Sequence, residues 1–370
     1  PTAMRPTTGF ETITGNKSAI LGHPKLELLT IPTPSGKLPK IITTTGTVTK
    51  KNYIPAKAGK RAEHHHTFGA AVVELGKDDV FFLRQINATR SGSFCDLDKQ
   101  YFPYKKPRKV RALGLVLGDI HEVHVDPDAV EAVFGKRGMV SVLRPKELVW
   151  HDVIDFYSRT YHHEGEVFTR YVKHREGLGN VQAEMRRAFD FVDKHSPKYA
   201  KNIFVYSNHS DMLSRWIKRT DPRADLENCV FWAKTFVAMC DGSKTVAGGI
   251  STIDPFAYWA YSDLKCFSRS RFLSPKESYL IRDIDVGYHG HRGLNGARGS
   301  RLGFAKIGVK TIIGHAHTPG ITDGAYQVGT MSYLDLDYNA GPSSWLHCHC
   351  VIYPNGKRSL LISVGKKWRG

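Results

Sequence analysis

The stretch VKTIIGHAHTPG, residues 309–320, runs from a β-branched apolar segment straight into two histidines one residue apart, followed by Pro and Gly. The apolar run reads as a buried strand, and the polar, Gly- and Pro-containing residues after it as a strand-to-loop junction. His315 and His317 therefore stand at the end of a sheet, where layered α/β domains place their sites.

The same texture recurs outward from this point. ALGLVLGDIH (112–121) ends in Asp119 and His121, and KNIFVYSNH (201–209) ends in Asn208 and His209. Between them LVWHDVIDF (148–156) carries Asp152 and Asp155, and DVGYHGHRGLNGARGS (285–300) carries His289 and His291 ahead of the last junction. A lone buried His is ordinary, but five such segments, four of them preceded by apolar runs, form a pattern. VQAEMRRAFDFVDKH (181–195) repeats Val181, Met185, Ala188, Phe189 and Val192 on one helical face, and DMLSRWIKR (211–219) is expected to be a second, short helix. HCVIYPNGKRSLLISV (349–364) reads as a hairpin around Pro354-Asn355-Gly356. WLHCHCVIY alternates like a strand with its cysteines on one face, a better reading than a thiolate metal site. Residues 111–370 are thus expected to form an α/β domain.

Residues 1–110 differ. Short runs such as LELLTI, KIITTTGTVT, GAAVVEL and DVFFLRQI between turn residues predict a β-rich region, and YFPYKKPRKVR (101–111) reads as a linker. The chain's formal charge is +18, and residues 1–112 hold 19 Lys and Arg against 8 Asp and Glu. Such a field attracts polyanions, nucleic acid above all, by counterion release. The six cysteines are scattered, as expected of reduced thiols in a cytoplasm. No run of about 18 apolar residues is present, so no membrane association is expected. The chain opens on Pro1, which fits a processed product or a piece of a longer protein.

The ordered segments D-x-H, D-x-x-D, N-H, H-G-H and G-H-x-H resemble the calcineurin-like metallophosphoesterase superfamily. HDVIDFYSRTYHH, GYHGHRGLNGARGS and GHAHTPG are most similar to its phage-encoded, SbcD-like nucleases. The resemblance implies a four-layer β-sandwich flanked by helices, preceded here by the basic N-terminal region. It also implies two divalent metal ions, Mn first, with Fe, Zn or Mg as alternatives. Asp119, His121 and His317 would hold one ion, Asn208, His289 and His315 the other, and Asp152 would bridge them, with His291 an alternative to His289. Alternate residues of GHAH would then reach neighbouring metals. His209 would face the scissile phosphate, and Asp211 would orient it. The pattern is broken in two places: His151 stands where Gly normally precedes the bridging Asp, and SNHS lacks an acid directly after the N-H pair.

Two such cations with two carboxylates and a bridging hydroxide leave a net positive site toward a phosphodiester. His162 and His163 are candidate groove residues, and Arg292 and Arg298, in a Gly-rich stretch, candidate phosphate partners. His64, His65 and His66 read as a chance run in a loop. The expected function is a phage nuclease hydrolysing DNA, cytoplasmic in the host cell and homo-oligomeric, at least a dimer, with the aromatic segment IDPFAYWAYSDLKCF (253–267) as a candidate contact. A phosphoesterase acting on nucleotides or phosphoproteins, and a DNA-binding or host-inhibiting protein with a vestigial metal site, are the alternatives.

Overall fold

The computed structural model describes residues 4–370 apart from 35, 78–79, 164 and 247–248. Two large sheets face one another. One has six strands in the order Ser270–Phe272, Lys201–Phe204, Glu147–Trp150, Gly114–Val116, Cys348–Ile352, Arg358–Ile362. Its first four strands run parallel, and the last two form the antiparallel hairpin expected around Asn355. The other has eight strands and contains Lys310–Ile313, the run of the opening stretch, parallel to Ile284–Asp285.

Strand alternation explains the packing, since neighbouring side chains point to opposite faces. Val116, Val149, Ile203, Cys348 and Cys350 face the second sheet and meet its Leu28, Ile284, Ile312 and Ile321 in a common core. Leu115, Leu148, Trp150 and Phe204 face the other way and are covered by helices. Among these is Val181–His195, whose Val181, Met185, Ala188, Phe189 and Val192 are buried as the periodicity requires. A short helix, Arg301–Ala305, covers the far face of the eight-stranded sheet through Phe304, against Ile313 and Ala325. The fold is therefore mixed α/β, layered helix, sheet, sheet, helix.

The basic N-terminal part is woven into this frame. Glu27–Ile31 pairs antiparallel with Gly320–Thr322, so the eight-stranded sheet runs across residue 110 of the sequence without a break. Gln85 donates to Thr43 and Ser359 donates to the Gln85 carbonyl, tying the hairpin Gly69–Leu75/Phe81–Asn87 to both sheets. Two local expectations are corrected. Residues 101–111 do not form a linker: Lys99–Phe102 turns back into Lys105–Lys109, whose five side chains are all exposed. The triple histidine lies at the end of a helix, Lys57–His65, rather than in a loop. No helix among the described residues is long and apolar enough to cross a membrane.

Candidate metal centre

Parallel pairing brings strand ends to one edge, and here it does so in both sheets. Gly114–Val116, Glu147–Trp150 and Lys201–Phe204 lie side by side and lead into Asp119/His121, Asp152/Asp155 and Asn208/His209. Ile284–Asp285 and Lys310–Ile313 lead into His289/His291 and His315/His317. The sheets meet where the Asp119 carboxylate accepts a 2.7 Å hydrogen bond from the His315 backbone N–H. Gly314 makes that approach possible: a Cβ there would lie 2.3 Å from Asp119 Oδ1.

Three groups of potential ligand atoms converge: Asp119, His121 and His317; Asp119, His151 and His289; and His121, Asp152 and His209. His317 Nε2 stands 3.1 Å from both His121 Nε2 and Asp119 Oδ2, and His289 Nε2 stands 3.0 Å from Asp152 Oδ2. Two donors on one ion, each about 2.0–2.2 Å from it, sit about 3 Å apart, so these separations suit a shared cation. Asp119, His121, His151, Asp152, His289 and His317 are all buried. Asp119 Oδ1, Asp152 Oδ1, Asn208 Oδ1 and His291 Nε2 have no hydrogen-bond partner among the described residues. Burying such groups unsatisfied is costly, which a bound cation would relieve. Four of these residues, His121, Asp152, His315 and His317, hold left-handed backbone at φ 48, 42, 75 and 55°. That conformation is uncommon outside Gly and marks local strain at these strand exits, as it does at Leu97, Arg144 and Phe156 elsewhere in the chain.

The charges are tightly coupled. Burial by itself would push the Asp119 carboxyl up, but His289 and His317 outweigh it and bring it to about 2. The same balance, with His289 and His209 as the main partners, holds Asp152 well below the ordinary carboxylate range. His121 goes the other way: burial opposes its charge, yet Asp155, Asp152 and Asp119 raise it to about 9. Burial depresses His151 and His315 to about 4 and His291 to about 3, with the charge of His289 adding to the effect. These three are neutral imidazoles near neutral pH, the form that ligates metal.

Of the residues singled out from sequence, Asp119, His121, Asp152, His209, His289 and His317 come together directly. His315 joins them through its ring, 5.3 Å from that of His289 and 6.2 Å from that of His291. Asn208 opens the helix Asn208–Arg219 beside His209. Asp211 does not orient His209; it accepts from the Tyr206 hydroxyl at 2.6 Å and pairs with Arg215 and Arg292. Asp155 takes that place, its backbone carbonyl accepting from His209 Nδ1. Arg292 and Arg298 are exposed and face one another across a narrow turn. His163 accepts from the buried Lys173 amine at 2.7 Å, and the His162 ring lies tilted against Tyr161, outside the centre.

Sequence reasoning left three contributors without a role, Asp155 among them. His151 was visible only as a break in the pattern, yet its Nδ1 lies 3.1 Å from His289 Nδ1. Trp345, against the His317 ring at 4.2 Å, gave no signal, because it reaches the site from a distant loop.

The chain is 34% identical to Protein A1 of Escherichia phage T5 across 98% of its own length, and it spans 66% of the length of that relative. No family model matches the chain, and no solved structure matches it significantly.

Proposed function

We propose that this chain is a metal-dependent phosphodiesterase that hydrolyses DNA, a nuclease of the calcineurin-like metallophosphoesterase type encoded by a phage. The convergence of Asp119, His121 and His317 beside Asp152, His209 and His289 at the edge shared by two sheets carries the reading. The helix–sheet–sheet–helix layering, the similarity to a phage protein and the net charge of +18 support it.

Asp119, His121 and His317 would hold one divalent cation and Asn208, His289 and His315 a second, with Asp152 between them and His151 available beside His289. The donor set is carboxylate, amide and imidazole with no thiolate, which suits Mn, Fe or Zn. Bound there, two such cations lower the pKa of water and neutralise phosphodiester charge. The chain's own residues supply the rest. A carboxylate only accepts, so Asp155 holds one His121 proton on Nδ1, and Nε2 would ligate a cation once that cation displaces its second proton. A backbone carbonyl likewise keeps one His209 proton on Nδ1, so it is the doubly protonated ring, carrying a second proton on Nε2, 3.9 Å from Asp152 Oδ2, that would give this proton to the leaving oxygen or steady the phosphoryl charge. Arg292, anchored by Asp211, offers a fork to a phosphate at the rim.

The test is incubation of linear, circular and single-stranded DNA in Mn²⁺ and in EDTA. Hydrolysis in Mn²⁺ that disappears in EDTA and in Asp152→Asn is the expected result. Metal-loaded protein that leaves DNA intact but hydrolyses nucleotides or phosphoproteins would move the activity to those substrates, and DNA binding without hydrolysis of any kind would indicate a vestigial site. A homo-oligomer, at least a dimer, belongs to the same proposal, to be checked by light scattering. The helix Pro255–Asp263 buries Phe256 and Ala260 but exposes Tyr258 and Tyr261, so only its outer side is free for such a contact.

A further inference from the structure

Beside the metal centre the chain carries a second concavity, an open cleft of about 750 Å³ bounded by the turn Tyr157–Arg159, the helix Val167–Arg175 and the end of the helix Asn208–Arg219. Trp216 lines it. This residue is 6% exposed and its indole nitrogen is itself buried, so it forms part of the cleft wall. The helix Val167–Arg175 lines it too, with Tyr171 62% exposed and Arg170 exposed and in no ion pair among the described residues. Its sequence VFTRYVKHR carries Arg170, Lys173 and Arg175 and no acid.

The cleft adjoins the metal centre. The Tyr157 ring stands edge-on to His163 at 5.6 Å and to His124 at 4.9 Å, and Lys173 sits over the same ring at 3.8 Å. Both His163 and Lys173 lie in the field of Asp155, the carboxylate that contacts His121. His209 and Trp216 share one helix and are separated by seven residues, two turns or roughly 10 Å along its axis.

An exposed ring next to a free guanidinium suits a base stacked beside its phosphate. A duplex hides its base faces, so this combination selects unpaired nucleotides. Asp225 and Glu227 also line the cleft but are both engaged by Arg159, so the unpaired charge presented by the lining helix is positive, which favours a polyanion over an apolar protein segment. Resting on the reading of DNA as substrate, we infer that the cleft receives unpaired bases of a single strand leading to the metal centre. Tyr171 stacks a base and Arg170 pairs with a phosphate.

Binding measured in EDTA separates this inference from hydrolysis. Fluorescence anisotropy of the full chain with labelled oligothymidylate and with a blunt duplex of equal length is the assay. The double variant Arg170→Gln, Tyr171→Ala changes only exposed positions and should weaken single-strand binding by roughly five- to a hundredfold, the range for losing a base–aromatic stack, while duplex affinity stays in place. Equal losses on both DNAs, or no loss on either, overturn the inference. So does thymidine monophosphate binding the cleft as tightly as the oligomer, which would make it a free-nucleotide site. Hydrolysis by the unmodified chain in Mn²⁺ tests the phosphodiesterase reading separately, since strand selection without hydrolysis would sink that reading and leave this one standing.

Discussion

Asp155 Oδ1 lies 2.7 Å from His121 Nδ1, so a carboxylate three residues beyond Asp152 fixes the ring that faces His317. The contact sets which nitrogen of His121 carries its proton, and partners of this kind govern how well a ligand holds its ion. Asp155→Asn keeps the shape and removes the charge. Calorimetric titration of Mn²⁺ into the metal-free protein should show affinity reduced by about 10–100-fold. Unchanged affinity would mean that Asp155 plays no part in preparing His121.

In the proposed reading His209 acts on the phosphate rather than on an ion: its Nδ1 is held by the Asp155 carbonyl, and its Nε2, which converges with His121 and Asp152, is left for substrate. His209→Ala should retain its metals by elemental analysis while turnover on DNA falls by about 10²–10⁴. A parallel loss of metal and rate would make His209 a ligand.

Lys50, Lys51, Lys57, Lys60 and Arg61 are all exposed on one short segment running into the helix Lys57–His65. If they contact phosphates, the logarithm of duplex affinity falls against that of salt by about 0.9 per phosphate neutralised. Replacing all five by Gln should flatten that slope and weaken binding alike across sequences. An identical slope would return the segment to the role of a solvated surface.

His349 offers a test of acid stability. It is fully buried, its Nδ1 accepts the Gly118 N–H at 2.9 Å, and burial, with the His347 charge adding, pulls its pKa down to about 3. The unfolded chain takes up this proton near pH 6.5 and the native chain does not until about 3, so stability is whole above 6.5 and declines as pH falls through that window. One proton gives a slope of about 1.4 kcal/mol per pH unit. His349→Asn keeps an acceptor toward Gly118 without a titrating ring, and its urea midpoints between pH 6.5 and 4 should fall less steeply than those of the parent. Superimposable profiles would sink the assignment.

Much of the fold was legible because its signals are local. The strand Lys310–Ile313 and its polar exit, the amphipathic face of Val181–His195 and the Asn-Gly turn of the last hairpin are each written within a few residues. The N-terminal part was less legible, since a β-branched run such as LELLTI does not name its partner. Its pairing with Gly320–Thr322 joins residues almost 300 positions apart. Lys105–Lys109 read as a linker because its charge and proline mask a strand that stays exposed in the fold.

The candidate site divides in the same way. The sequence by itself determined that Asp, Asn and His stand at several strand ends, because a short apolar run followed by polar residues defines such an end without reference to the rest of the chain. Only the tertiary structure decided which of those residues share a centre. Parallel pairing aligns the ends within each sheet, and face-to-face packing of the two sheets brings His317 to Asp119 and His289 to Asp152. It decided as well that Asp155, not Asp211, meets His209, because Arg215, Arg292 and Tyr206 engage Asp211 first. Such choices depend on distances between segments far apart in the chain, and local periodicity carries no information about them.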